Sequence, residues 1–170
     1  PARPRPADAA GQRIGFFVPY SAPRKRTDLL LPAFAAVRRA RPSPVTLVLA
    51  GDTPTLAIRR EVEGLGLAGA VELHEQVSRP ALLELYAGLD LFVVPSQQEG
   101  LCIVALEAMG SGRPVLSTRC GGPQDFVIEG ETGWLRDGTV EDLSARIATL
   151  LDQPPLLRET GRRARVFVAE

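Results

Sequence analysis

Pro95-Ser96-Gln97-Gln98-Glu99-Gly100-Leu101-Cys102-Ile103-Val104-Ala105-Leu106-Glu107-Ala108-Met109-Gly110-Ser111-Gly112-Arg113-Pro114-Val115 follows without a break on Leu91-Phe92-Val93-Val94. The four apolar residues read as a strand buried on both faces. The run from Leu101 to Met109 reads as a helix, apolar at every position except Glu107, and Pro114 marks the entry to a further strand at Val115 to Ser117. Strand, turn, buried helix and strand in that order form a crossover unit of a parallel sheet. In such sheets ligands lie beyond the carboxyl ends of the strands, where helices begin and present unpaired amides. The Pro95 to Leu101 turn is therefore where a ligand is expected.

The same alternation runs through most of the chain. Strands are predicted at Ile14 to Val18, Val45 to Ala50 and Val71 to Leu73, besides Leu91 to Val94 and Val115 to Ser117. They interleave with helices at Asp28 to Ala40, Thr55 to Leu65, Arg79 to Gly88, Leu101 to Met109, Glu141 to Leu151 and Pro155 to Val168. The expected fold is α/β, a doubly wound parallel sheet of about six strands with helices on both faces. Residues 1 to 12, with three prolines and no periodicity, read as a linker or frayed terminus. Residues 13 to 170 then form one domain, the size expected of a chain of 170 residues with 45% apolar side chains.

Twenty basic and twenty acidic residues cancel, so no overall field recruits nucleic acid or an anionic membrane. No apolar run approaches the length of a membrane-spanning helix, and the first residues lack a signal peptide's apolar centre. Cys102 and Cys120 form neither a metal-binding pair nor a disulfide framework, which fits a reducing compartment. The expectation is a soluble cytoplasmic protein. Nineteen of the twenty basic residues are arginine, which singles out Lys25.

Glu107 reads as a carboxylate in a core. A buried carboxylate requires hydrogen-bond donors, and these are either ligand hydroxyls or a structural partner such as Arg113 or Arg119. Glu99, just ahead of a helix, is either a ligand contact or a group favoured by the helix dipole. His74 reads as a surface loop residue without an orienting partner, Trp134 as core, and Arg162, Arg163 and Arg165 as a solvated helix face.

Pro95-Ser96, Glu99-Gly100, Glu107 after seven intervening residues, Ala108-Met109, Gly112 and Pro114-Val115 together resemble the signature of the retaining glycosyltransferases of GT-B fold. That group includes bacterial mannosyl- and glucosyltransferases and the glycogen and sucrose synthases. Downstream, Gly121-Gly122, Asp125 and Glu131-Thr132-Gly133 resemble the family's double-glycine loop and Thr-Gly turn. Upstream, Lys25 and Asp28 to Phe34 resemble its Lys-led helix start, so that residues 14 to about 165 are covered.

The resemblance implies a nucleotide-sugar donor as ligand. Glu99 would contact the sugar hydroxyls, Glu107 would hold the ribose, and Lys25 would neutralise the diphosphate with help from the amides of Gly100, Leu101, Cys102 and Ile103. It implies Lys25 and Glu99 as the catalytic groups, hexose transfer with retention, no cofactor and no metal, the last in keeping with the lack of an Asp-x-Asp element. It also implies a partner domain, N-terminal and outside this chain, that binds the acceptor and would supply any membrane association. The isolated domain would then be inactive by itself. The chain departs from the pattern where Tyr20 replaces an arginine five residues before the lysine, where Leu101 replaces an aromatic, and where Cys102 replaces a glycine. Those departures keep open a non-catalytic nucleotide-sugar-binding module. A GT-B epimerase or hydrolase is a second alternative, and a redox or signalling protein of flavodoxin-like shape a third.

Overall fold

A computed structural model describes residues 11–170, so the first ten residues of the expected linker lie outside the described part. Among these residues, six parallel strands stand in the order β3-β2-β1-β4-β5-β6. The strands are β1 (Gln12–Phe17), β2 (Val45–Gly51), β3 (Val71–Glu75), β4 (Leu91–Val94), β5 (Val115–Thr118) and β6 (Gly133–Arg136). The helices are α1 (Thr27–Ala40), α2 (Leu56–Gly64), α3 (Arg79–Ala87), α4 (Ile103–Gly110), α5 (Val140–Leu151) and α6 (Pro154–Ala169).

Alternation along the strands builds two cores. Ile14 and Phe16 of β1, Leu47 and Leu49 of β2 and Leu91 and Val93 of β4 pack with α1, α2 and α5. Phe17, Val48, Phe92 and Val94 face the opposite layer of α3, α4 and α6. Both sheet faces are thus covered, which is why the strands carry near-continuous apolar runs.

Three expectations are corrected in detail. β1 begins at Gln12, which pairs with Val45, so the sheet starts inside the stretch expected to be linker. β6 forms from Gly133-Trp134-Leu135-Arg136 and pairs with β5 from Val115↔Gly133 to Thr118↔Arg136. It is a four-residue strand behind a turn, and with Gly133 and Arg136 at its ends it lacks the continuous apolar run that marks β4. A Cβ on Gly133 would meet the Val115 carbonyl oxygen at 2.1 Å, so only glycine admits this pairing. His74 lies within β3, not in a loop, and its Nε2 is 3.2 Å from Glu72 Oε2. The partner is two residues back along the strand, on the same face by the strand period.

Pro32 sits inside α1. It removes a backbone donor, but the helix runs on because Leu29, Leu30, Leu31, Ala33, Phe34 and Val37 are all buried. Trp134 is core at 2% exposure, with the Arg146 guanidinium 5.3 Å from its ring centroid. Arg162 and Arg163 are solvated and pair with Glu159 along α6. No helix among the described residues is long and apolar enough to cross a membrane.

Candidate functional site

β1 and β4 are neighbours in the sheet, and the chain leaves them in opposite directions: β2 and β3 extend one side, β5 and β6 the other. This is the topological switch point, where the loops after the two strands diverge and leave a crevice. The loop after β1 carries Lys25 on a short 3-10 turn, Pro23–Lys25. The loop after β4 carries Ser96 and Glu99.

The structure brings Lys25 and Glu99 together. Lys25 Nζ donates to Glu99 Oε1 at 2.7 Å and Oε2 at 2.9 Å, and the two side chains are only 11% and 7% exposed. Lys25 is not a solvated loop charge, and Glu99 does not serve as a cap. The N-cap of α4 is Cys102, with no side-chain cap. Ser96 Oγ donates to Glu99 Oε1 at 2.5 Å, so three of the carboxylate's lone-pair directions are held.

The Glu99 backbone is fixed as firmly. Its amide donates to Cys120 O at 2.7 Å, and the Gly122 amide donates to Glu99 O at 3.3 Å. Glu99 and Gly121 form a bridge between the two loops. The double glycine permits this approach. A Cβ on Gly122 would lie 1.6 Å from Gly100 O, and one on Gly121, at φ +104, would lie 2.6 Å from Glu99 O.

Cys102 adopts φ 56 and ψ 58, the left-handed region, which favours glycine and explains why a glycine suits this turn. The thiol is buried at 6% exposure, and burial, with Glu99 nearby, pushes its pKa up to about 12. Burial raises Cys120 likewise. Both behave as small apolar residues. The turn at Cys102 starts α4, and Gly100, two residues before it, lines the crevice. The first amides of a helix lack intrahelical acceptors and carry its positive dipole end.

Glu107 stands elsewhere than expected. Its side chain is 19% exposed, so it lies at the edge of the core. Its partners are the Arg79 guanidinium and the Tyr86 phenol, which donates to Glu107 Oε2 at 3.0 Å. Arg113 and Arg119 are engaged elsewhere, with Leu89 O and with Asp137. Tyr86 is fully buried, packed against Phe17 and Phe92 at centroid distances of 4.6 and 5.5 Å. Burial and the Glu107 carboxylate both raise its pKa, so the phenol remains a donor. The all-apolar run around Glu107 is not all buried: Leu101 and Ile103 are 61% and 62% exposed.

Tyr20 is withdrawn from the site. Its hydroxyl faces Leu49 O and His74 O, each at 2.9 Å, which ties the loop after β1 to the ends of β2 and β3. Asp52, just past β2, reinforces the tie by accepting from the Tyr20 amide at 2.5 Å and from Ser21 Oγ at 2.6 Å. The Ser21 hydrogen bond and the Tyr20 amide lower the Asp52 pKa. Arg79, Tyr86, Ser96 and Asp52 are thus the supporting residues that sequence reading missed. Ser96 alone carried a signal, as the neighbour of Pro95 in the motif. Among the described residues no three of His, Cys, Asp or Glu converge as metal ligands.

The doubly wound parallel sheet matches the Rossmann-like domains of GT-B glycosyltransferase structures. The model of the family described as glycosyl transferases group 1 matches residues 2–167, and this chain belongs to that family. It is 34% identical over 174 residues to a D-inositol 3-phosphate glycosyltransferase of Segniliparus rotundus, covering 93% of this chain and 38% of that protein. The chain thus spans about two fifths of the length of the curated relatives it matches, and corresponds to their C-terminal half. A variant of S. aureus TarM, in complex with UDP, alpha-GlcNAc-glycerol and fondaparinux, superposes with a TM-score of 0.84 at 25% identity, covering 98% of this chain and 34% of that one. The C-terminal domain of a glycosyl transferase group 1 family protein from Francisella tularensis shares the fold at a TM-score of 0.81 and 22% identity, covering 94% of this chain and 86% of that one. A domain of this extent has therefore been crystallised without its partner.

Proposed function

We propose that this chain is the donor-binding half of a retaining glycosyltransferase, which moves a hexose from a nucleoside-diphosphate sugar to an acceptor held largely by an N-terminal domain beyond this chain. The observation that carries the reading is the Lys25–Glu99 pair, buried at the switch point beside the start of α4.

Transfer builds positive charge on the sugar and negative charge on the departing diphosphate. The useful catalyst is charge already in place. Lys25 offers a compact cation to the phosphates, and the amides of Gly100, Leu101, Cys102 and Ile103 offer directional donors. In the free domain the Glu99 carboxylate holds Lys25. On donor entry the phosphates take over the ammonium, and Glu99, still oriented by Ser96, accepts from the sugar hydroxyls. Glu107, with Tyr86 donating beneath it, takes the ribose hydroxyls in place of the exposed Arg79. No acid–base residue and no metal is needed in this half.

A second reading, a non-catalytic nucleotide-sugar-binding module, is favoured by one observation. Tyr20 stands where a second cationic ligand is expected, and its hydroxyl is spent on the Leu49 and His74 carbonyls. Donor binding without turnover by the full-length protein would establish that reading.

Glu107→Gln separates ligand contact from structural ion pair. The Arg79 side chain is 63% exposed, and an exposed pair contributes about 0–1 kcal/mol. The variant is therefore expected to unfold at nearly the wild-type temperature while binding nucleotide sugar more weakly by about 1–3 kcal/mol, as charge-assisted hydrogen bonds are lost. Calorimetric titration beside a thermal melt checks this. Lower stability with unchanged affinity would assign Glu107 to structure alone.

A further inference from the structure

The two acids assigned to the donor are each covered by a cation from another loop. Glu99 is held by Lys25 from the loop after β1, and Glu107 by Arg79, which opens α3. The two contacts differ in kind. Lys25 is buried with its partner, whereas the Arg79 side chain reaches Glu107 from solvent, 63% exposed against 19% for the carboxylate. Among the described residues Glu107 is the only partner of the Arg79 guanidinium.

Neither the helix nor the carboxylate needs this contact. Arg79 is the first residue of α3, where Ser78 provides no side-chain cap, and a cation there opposes the positive end of the helix dipole. Glu107 retains an inner donor without it. The Tyr86 phenol reaches Oε2 at 3.0 Å and is itself packed against Phe17 and Phe92, so the carboxylate stays hydrogen-bonded and oriented when the guanidinium leaves. Oε1, the oxygen that Tyr86 leaves open, is the one Arg79 takes. The donor that holds Glu107 is thus buried and fixed, and the one that covers it is exposed.

We propose that Arg79 is a self-inhibitory plug on the ribose carboxylate: its guanidinium competes with the 2′- and 3′-hydroxyls of the nucleoside for Glu107, and so holds down the affinity of the free domain for nucleotide. This rests on the donor-binding reading and adds a regulation to it, because a plug made of one exposed ion pair loosens as the surrounding salt screens it.

The test is calorimetric titration of the 170-residue chain with UDP, GDP and ADP and with the 2′,3′-dideoxy form of each, for wild type, Arg79→Gln, Glu107→Gln and the double variant. The dideoxy nucleotide carries the same base and diphosphate, so the ratio of the two affinities reads the ribose contact alone. Arg79→Gln is expected to raise that ratio about three- to fivefold, the worth of an exposed pair, with an unchanged thermal midpoint. In about 1 M salt, where the Debye length falls to about 3 Å, the wild-type ratio rises towards that of the variant. In the Glu107→Gln background the Arg79 substitution changes nothing. An unchanged ratio in Arg79→Gln overturns the plug while leaving donor binding intact, and a lowered ratio does so by making Arg79 a ligand in its own right. A gain that persists in the Glu107→Gln background places the effect elsewhere and overturns the plug too. Binding of none of the nucleotides, by wild type and Arg79→Gln alike, defeats the donor reading and the plug with it.

Discussion

Gly122→Ala is expected to destabilise the domain by about 3 kcal/mol or more and to weaken nucleotide-sugar binding at least about tenfold in the protein that remains folded. The added Cβ would sit 1.6 Å from Gly100 O, 2.7 Å from Gly100 C and 3.1 Å from Leu101 C. All three are backbone atoms, so no side chain can swing away. Relief requires the Glu99-Gly100 turn to retreat from the Gly121-Gly122 loop, and that breaks the Glu99 amide's bond to Cys120 O and the Gly122 amide's bond to Glu99 O. The same retreat displaces the Glu99 carboxylate and the start of α4, so stability and binding fall together. Gly64→Ala is the control, because a Cβ there meets nothing within 4 Å at the end of α2. Thermal and denaturant unfolding of the two variants make the comparison, and a Gly122→Ala protein as stable as Gly64→Ala would show that the two loops do not meet as described.

The second large effect concerns the pair itself. Lys25→Met or Glu99→Leu alone leaves one charge nearly buried without its counterion, a loss of about 3–5 kcal/mol when a buried pair is broken from one side. The double variant Lys25→Met/Glu99→Leu removes both charges and is expected to recover much of that stability, with a coupling of about 2 kcal/mol or more between the positions. Binding separates structure from function here. If Lys25 and Glu99 act on the donor, the double variant regains stability and still fails to bind nucleotide sugar. Recovery of binding along with stability would make the pair a structural device only.

The fold was legible because its signals are local. Five mostly apolar strands interleaved with helices admit little but a doubly wound parallel sheet, and helix boundaries came within a few residues. β6 escaped because Gly133 and Arg136 bound only two apolar residues and its pairing depends on a glycine that clears the Val115 carbonyl. At the candidate site, Lys25 stood out as the one lysine of the chain, and Glu99 and the start of α4 because they follow β4, where this topology places ligands. What eluded sequence reading was pairing at a distance. Arg79 and Tyr86 reach Glu107 across 28 and 21 residues, whereas Arg113 and Arg119, nearer in sequence, face other partners. Nothing in spacing announces such contacts, because helix packing sets them.

The apolar run Leu101 to Met109 misled for a related reason. Uniform hydrophobicity implies burial on all sides, but Leu101 and Ile103, at the start of the run, are exposed. The left-handed Cys102 was equally hidden, since a cysteine in place of a glycine gives no sign that the backbone still takes the glycine conformation. Tyr20 shows the reverse. Its substitution for a cation was visible, yet its job as a pin between the ends of β2 and β3 was not.

The most direct measurement is a heteronuclear NMR titration of the 170-residue chain with uridine, guanosine and adenosine diphosphate sugars. The expected result is saturable binding of one of them, with amide shifts concentrated at Lys25, Glu99 to Ile103 and Glu107, and no sugar transfer to added acceptor by this chain alone. Shifts confined to other surfaces, no binding of any nucleotide sugar, or ordinary transfer without the other half would contradict the account of a donor-binding half.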